Sequence, residues 1–144
     1  DMPAERLEQF ARRVIKIAQI EGARVLINGD QALAVRVQAD GVHWPAHQLM
    51  NLKARPDLPL CAASCHNRAE LDRAAELELD FVVLSPVLST PSHPGVTGLG
   101  WPAFSGMIRN YPLPVYALGG MRLEYLTQAM EHGAHGASLL SGIW

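Results

Sequence analysis

The residues best suited to hold an anion are two adjacent glycines in Leu118-Gly119-Gly120-Met121. They follow the apolar run Val115-Tyr116-Ala117-Leu118 and precede a stretch with helical character over 122–132. Lacking Cβ atoms, they let backbone N–H groups come close to a ligand. A helix start behind them adds free N–H groups and the positive end of a dipole. A second turn of similar make-up, Leu140-Ser141-Gly142, follows the last strand, over 136–139, and neither turn contains Asp or Glu. The guest these turns suit is a small phosphorylated ligand. A tight strand-to-helix turn with no ligand also accounts for a Gly-Gly pair.

Other residues with reactive side chains point less clearly to chemistry. Cys61, Cys65 and His66 are soft ligands, but a zinc site needs a second pair at defined spacing, and none is present. Cys61 reads as core, and Cys65 stands at the C-terminal end of a strand. Asp40 precedes its strand and reads as a turn or cap residue. His43 and Trp44 end that strand, and His43 reads either as a ligand contact or as a hydrogen-bonded structural residue. His132 and His135 flank a strand start and read as helix-end and turn residues.

A weak internal repeat supplies the elements that position these residues. Three segments run from a helix end through a short polar step into a strand: Val37-Gln38-Ala39-Asp40-Gly41-Val42-His43, Leu77-Glu78-Leu79-Asp80-Phe81-Val82-Val83 and Gly133-Ala134-His135-Gly136-Ala137-Ser138-Leu139. Further strands are predicted over 24–28, 60–64 and 115–118. All are short continuous apolar runs, the pattern of strands buried on both faces of a parallel sheet. In the first helix Leu7, Phe10, Ala11, Val14, Ile15 and Ala18 make one apolar face, with Pro3 in its first turn and Gly22 at its end. Further helices are predicted over 31–38, 46–54, 68–78, 102–110 and 122–132. Six strands, each after a helix, argue for an α/β fold, either a β/α barrel or a doubly wound sheet. In a barrel, paired loops after the last two strands commonly form a phosphate site. The one long irregular segment, 85–100, follows a strand and is rich in Pro, Gly, Ser and Thr.

Composition excludes several classes. The 144 residues suit one domain, 1–144, and the net charge of −2 with 18% charged residues marks no nucleic-acid partner. The apolar runs are strand-sized, so no membrane partner is expected. Asp1-Met2-Pro3-Ala4-Glu5 opens a helix and is no signal peptide. Two cysteines are too few for a disulfide framework, which makes the cytoplasm the expected location.

Asn28, Ala39-Asp40-Gly41-Val42-His43, Ser64-Cys65-His66, Ser85-Pro86-Val87-Leu88-Ser89-Thr90-Pro91-Ser92-His93-Pro94, Leu118-Gly119-Gly120-Met121 and Ser141-Gly142-Ile143-Trp144 together resemble the thiamin phosphate synthase and thiazole tautomerase superfamily. Order and spacing match along nearly the whole chain. Within the superfamily the chain looks most like the version fused behind a Nudix (MutT-type) hydrolase, although no Nudix box is present. The resemblance implies a TIM-type β/α barrel. It also implies an incomplete one, with six of eight parallel strands, the first two strands and first helix of the family being unaccounted for. Such a chain is expected to form a homo-oligomer or to be part of a longer protein.

The resemblance implies a divided site. Asn28 and Ser64 match contacts to the pyrophosphate of the pyrimidine substrate. Thr90 and Ser92 match the hydroxyl pair on the thiazole phosphate, Gly119 and Gly120 the phosphate-binding glycines, and Ser141, with Gly142, a further phosphate contact. His93 stands where the synthases carry a lysine and is the candidate catalytic residue, since an imidazole suits proton transfer near neutral pH. The family's two magnesium aspartates fall at Gly29 and Gln48, with Asp30 one place along. Magnesium favours carboxylate oxygen, so no metal and no cofactor are expected. The tautomerases use a histidine where this chain has Pro86. The resemblance therefore implies a phosphate-binding barrel domain of thiamin biosynthesis, with a thiazole phosphate or thiamin phosphate ligand and degenerate catalysis. The alternatives are a thiazole tautomerase-like enzyme and a non-catalytic accessory domain of a Nudix nucleotide hydrolase.

Overall fold

In the computed structural model, which describes residues 2–89, 95 and 97–140, helices and strands alternate throughout. α1 (Ala4–Ile20) leads to β1 (Leu26–Asn28), α2 (Gln31–Val37), β2 (Gly41–Trp44), α3 (Ala46–Leu49), β3 (Leu60–Cys65) and α4 (Arg68–Glu76). β4 (Phe81–Leu84), α5 (Trp101–Ile108), β5 (Val115–Ala117), a 3-10 turn (Leu123–Tyr125), α6 (Leu126–Glu131) and β6 (Gly136–Ala137) follow. The six strands form one parallel sheet in sequence order, the α/β architecture that the alternating pattern implies. The sheet is open: among the described residues, β1 pairs only with β2 and β6 only with β5.

The helix-to-strand repeat has a physical basis at each joint. Gln38, Glu78 and Gly133 all adopt the left-handed conformation that ends a helix, with φ of 56°, 51° and 94°. The next residue then donates its N–H five residues back: Ala39 to Ala34 (3.0 Å), Leu79 to Ala74 (3.2 Å) and Ala134 to Ala129 (3.0 Å). One residue further, the N–H groups of Asp40, Asp80 and His135 donate to the carbonyls of Val25, Cys61 and Val115, at 3.0, 2.8 and 2.7 Å. In the first two joints the carboxylate also accepts the N–H of the same partner residue, Asp40 from Val25 at 2.7 Å and Asp80 from Cys61 at 2.6 Å. Asp40 is therefore a clamp at the N-terminal edge of the sheet.

Strand pleating separates two faces. Val42, Trp44, Cys61, Ala63, Cys65, Val82, Leu84, Val115 and Ala117 point into the main core, where they meet Leu49, Leu71, Ala74, Phe104 and Ala129 from the helices. Alternate residues, among them Asn28, His43, Ser64, Phe81 and Tyr116, share the opposite face. There Phe81 and Tyr116 pack edge to face, with centroids 5.3 Å apart.

The α1 face is only partly covered, and two further elements depart from the sequence expectation. α1 buries only Ala11 and Ile15, against Leu33 and Val37 of α2, and leaves Leu7 and Phe10 39% and 56% exposed. Its apolar face is wider than a single neighbouring helix can cover. α3 stops at Leu49 rather than running to 54, because Asn51 and Leu52 close tight turns onto Gln48 and Leu49 and the Asn51 side chain takes the His47 carbonyl. The stretch over 122–132 opens as a 3-10 turn, so α6 itself is only six residues long.

The Asp80 clamp also holds Arg55, whose Nη2 lies 2.8 Å from Oδ2, while Nη1 donates to the Glu78 carbonyl. Removing a charged acceptor strands the N–H groups it served, at about 1.5–3 kcal/mol per charged hydrogen bond. Asp80→Ala should lower unfolding stability by about 2 kcal/mol and Asp40→Ala by less, as read by urea denaturation. Equal losses would show that Arg55 adds nothing to the clamp.

Candidate functional site

The polar side chains of the second face converge at the C-terminal ends of β1, β2 and β3. Parallel register places Asn28 beside His43. His43 Nδ1 lies 3.2 Å from Asn28 Oδ1, and His43 Nε2 lies 3.3 Å from Ser64 Oγ. An amide oxygen only accepts, so Nδ1 carries the proton and Nε2 is free to accept from the Ser64 hydroxyl. Burial pushes the His43 imidazole below its ordinary pKa, which favours this neutral tautomer.

This relay borders an open cavity of about 510 Å³ lined by Asn28, Pro45, Ala46, His47, Ser64 and His66, with Met50 and Glu70 completing the wall. Glu70 is an early residue of α4. The Asn67 side chain caps that helix by accepting the Glu70 N–H at 3.0 Å. The Glu70 carboxylate reaches back to His66, accepting from its backbone N–H at 2.6 Å and meeting its Nδ1 at 3.0 Å. Two histidines and one carboxylate held by one of them thus face the same space as Asn28 and Ser64.

The loop after β1 stands beside this cavity. Gly29 has φ +70°, and a Cβ built there would lie 3.0 Å from the Gln48 amide nitrogen, so positions 29 and 48 are spatial neighbours. Asp30 does not turn toward them. Its carboxylate caps α2, accepting the Leu33 N–H at 2.8 Å.

Gly119 and Gly120 lie at the same end of the sheet, after β5, with φ of +96° and +65°. Their immediate role is close approach to the loop after β4. A Cβ on Gly119 would sit 2.6 Å from Pro86 Cα, and one on Gly120 would sit 2.8 Å from Leu88 Cβ and 2.9 Å from the Ser89 carbonyl oxygen. Two backbone bonds stitch the loops together: Val87 N–H donates to the Leu118 carbonyl (2.8 Å) and Leu88 N–H to the Gly119 carbonyl (3.0 Å). The N–H groups of Gly119 and Gly120 donate to no acceptor among the described residues.

Of the residues singled out in the sequence, the structure brings Asn28 and Ser64 together through His43. It sets Gly119 and Gly120 at the same sheet end, on a different strand. Thr90, Ser92, His93, Ser141 and Gly142 lie outside the described residues. Cys61 and Cys65 are buried free thiols in the helix-side core. Burial, with the Glu70 charge second, pushes Cys65 up to about 12, which keeps it protonated and inert at neutral pH. Trp44 also faces that core, away from the relay. His132 stacks on Trp101 at 5.1 Å and its Nδ1 meets the Gln128 carbonyl, a helix-end role. Sequence reasoning left His43 undecided and passed over His47 and Glu70. Their signal was available only in part: His43 and Ser64 each end a strand, but only register shows that they touch.

The family profile described as thiamine monophosphate synthase matches residues 1–143. A Geobacter sulfurreducens protein is 33% identical over 147 residues, covering 99% of this chain and 69% of that protein. The thiamine-phosphate synthase of Thioalkalivibrio sulfidiphilus is 30% identical over 148 residues, covering 100% of this chain and 69% of the enzyme. Among solved structures, the thiamine phosphate pyrophosphorylase from Pyrococcus furiosus superposes with a TM-score of 0.80 at 18% identity, over 98% of this chain and 69% of that one. At that identity the likeness speaks for the fold, a TIM-like one.

The contacts at Gly120 set a clear expectation. A side chain there meets both the left-handed backbone and the Leu88–Ser89 segment, so Gly120→Ala should cost more than about 1 kcal/mol of stability by chemical denaturation. A neutral result would mean that the two loops separate freely.

Proposed function

The chain belongs to the thiamine monophosphate synthase family, and from that premise we propose that it is a thiamine-phosphate-synthase-like domain that binds a thiazole phosphate or thiamin phosphate and has lost the metal-dependent half of the synthase chemistry. The observation that carries this reading is the pairing of an anion-compatible cavity with a neutral metal position. Asn28 and Ser64, assigned to the pyrophosphate side by the resemblance, line the cavity. Gly119 and Gly120, assigned to the phosphate side in the same way, have N–H groups with no acceptor among the described residues. Thr90, Ser92, Ser141 and Gly142 are proposed to complete the phosphate grip, and His93 to act as a proton-transfer group on the loop after β4.

The residues present fit magnesium poorly. Where the family's carboxylates are expected, Gly29 lies against the Gln48 amide, and Asp30, the nearest carboxylate in the chain, is committed to capping α2. A neutral amide and a spent carboxylate do not supply the hard anionic oxygens that magnesium requires. No step of the proposed chemistry passes through a metal. What these residues provide is binding: N–H groups and hydroxyls that orient a phosphate ester at the sheet's C-terminal end. The tautomerase-like reading is weaker, because Pro86 offers no proton-transfer group at the matching position. The accessory-domain reading, including a Nudix fusion, shares the ligand-binding expectation but not turnover.

Titration with thiazole phosphate, followed by amide chemical shifts, tests the reading. Saturable shifts at Gly119 and Gly120 are expected, with no stoichiometric magnesium binding by calorimetry. Thiazole phosphate mixed with the pyrimidine pyrophosphate and magnesium should yield no thiamin phosphate. Magnesium-dependent product formation would overturn the degenerate reading. Unmoved glycine amides would reduce the Gly-Gly loop to a turn.

A further inference from the structure

We propose that the cavity beside β1–β3 is a metal-independent anion site in which His43 takes up a proton as a phosphate-class dianion binds at Ser64. The proposal rests on the reading of Asn28 and Ser64 as anion-side residues and adds to it the group that controls them. In the neutral relay the Ser64 hydroxyl proton is committed to His43 Nε2, 3.3 Å away. The hydroxyl then turns only lone pairs toward the cavity, which an anion does not want. Protonation of Nε2 reverses that bond. The ring N–H donates to Ser64 Oγ, and the Ser64 O–H is released toward the cavity. Asn28 Oδ1 accepts from Nδ1 in both states, at 3.2 Å, so the ring needs no flip. One proton therefore supplies a new donor at Ser64 and a positive charge directly behind it.

The surroundings favour this coupling. No carboxylate occupies position 29 or 48, so neither position supplies a fixed anionic oxygen at that edge. His47 faces the cavity from α3, and His66 and Glu70 face it from the β3–α4 connection. Glu70 is the one acidic group there, and its Oε2 is held by both the backbone N–H and Nδ1 of His66. From β1 the facing group is neutral Asn28, and the neighbour of Ser64 on β4 is Val83. Among the described residues, His43 alone contacts both anion-side residues.

The test uses inorganic pyrophosphate in the presence of EDTA. Calorimetry in two buffers of different ionisation enthalpy should show saturable binding with close to one more proton taken up than in His43→Gln, the variant cancelling the ligand's own ionisation. Between the free and anion-bound pKa values of His43, affinity should fall about tenfold per pH unit as pH rises. In the unaltered protein, the imidazole titration of His43 by NMR should move up by about one unit or more on saturation, a readout independent of how the variant folds. Binding that requires Ser64 but shows no proton uptake and an unmoved His43 midpoint overturns the coupling while leaving the anion site standing. Binding that appears only with magnesium overturns metal independence. No saturable binding at any pH overturns both this inference and the anion-side reading beneath it.

Discussion

Every strand pair in this sheet is parallel, and that constraint governs the rest of the molecule. A parallel neighbour can begin only after the chain has travelled back along the full length of the strand it left. Each return here is made by a helical segment. The returns into β2, β4 and β6 end in the same way, with a left-handed residue, a five-residue backward bond and an N–H that docks on the start of the preceding strand. The carboxylates of Asp40 and Asp80 reinforce two of these joints by accepting the N–H beside the carbonyl that is already used. Asp40 and Asp80 thus hold structure at the N-terminal end of the sheet. The C-terminal end carries glycine loops, hydroxyls and histidines, with Asp30 capping α2 and Glu70 bonded to His66.

That polarity explains which parts of the molecule can bind an anion. At the C-terminal end the N–H groups of Gly119 and Gly120 have no acceptor among the described residues, and the carboxylates of Asp30 and Glu70 are already hydrogen-bonded. The Gly119-Gly120 loop serves two demands at once. Its carbonyl side is bonded to the loop after β4, and its N–H side is left without an acceptor among the described residues. A Cβ at either position would push against Pro86 or Leu88. The glycines are thus required by loop-to-loop packing before any ligand is considered, and the turn and ligand readings of the sequence are compatible.

Periodicity made the architecture legible. Short continuous apolar runs separated by helices specified six parallel strands, and the recurring polar step marked the joints correctly because it encodes a repeated hydrogen-bond pattern. Boundaries were less legible where side-chain bonds decide them. The Asn51 amide ends α3 early, and the 3-10 turn at Leu123–Tyr125 precedes α6, and neither shows in hydrophobic spacing. The apolar face of α1 was legible as a face, but its partial exposure was not, since spacing says nothing of how many neighbours a helix has. At the candidate site, Asn28 and Ser64 were singled out by resemblance. His43, between them, stayed ambiguous because contact across strands depends on register, and a single strand's sequence does not carry register.

The arrangement around His43 also bears on how a cavity can attract an anion without a metal. A permanent positive charge placed at half-buried positions costs several kcal/mol in the empty state unless a partner offsets it. Carboxylates that hold magnesium solve this when the metal is present, and repel the anion when it is not. An imidazole held below its ordinary pKa by burial carries no charge while the cavity is empty, so the empty state bears no unpaired ion. An anion beside Ser64 stabilises the protonated ring and draws the proton in only when it is needed. With Gly29 and Gln48 neutral and Asp30 turned into a helix cap, a titrating histidine is the arrangement that gives this cavity attraction for an anion without a standing electrostatic cost.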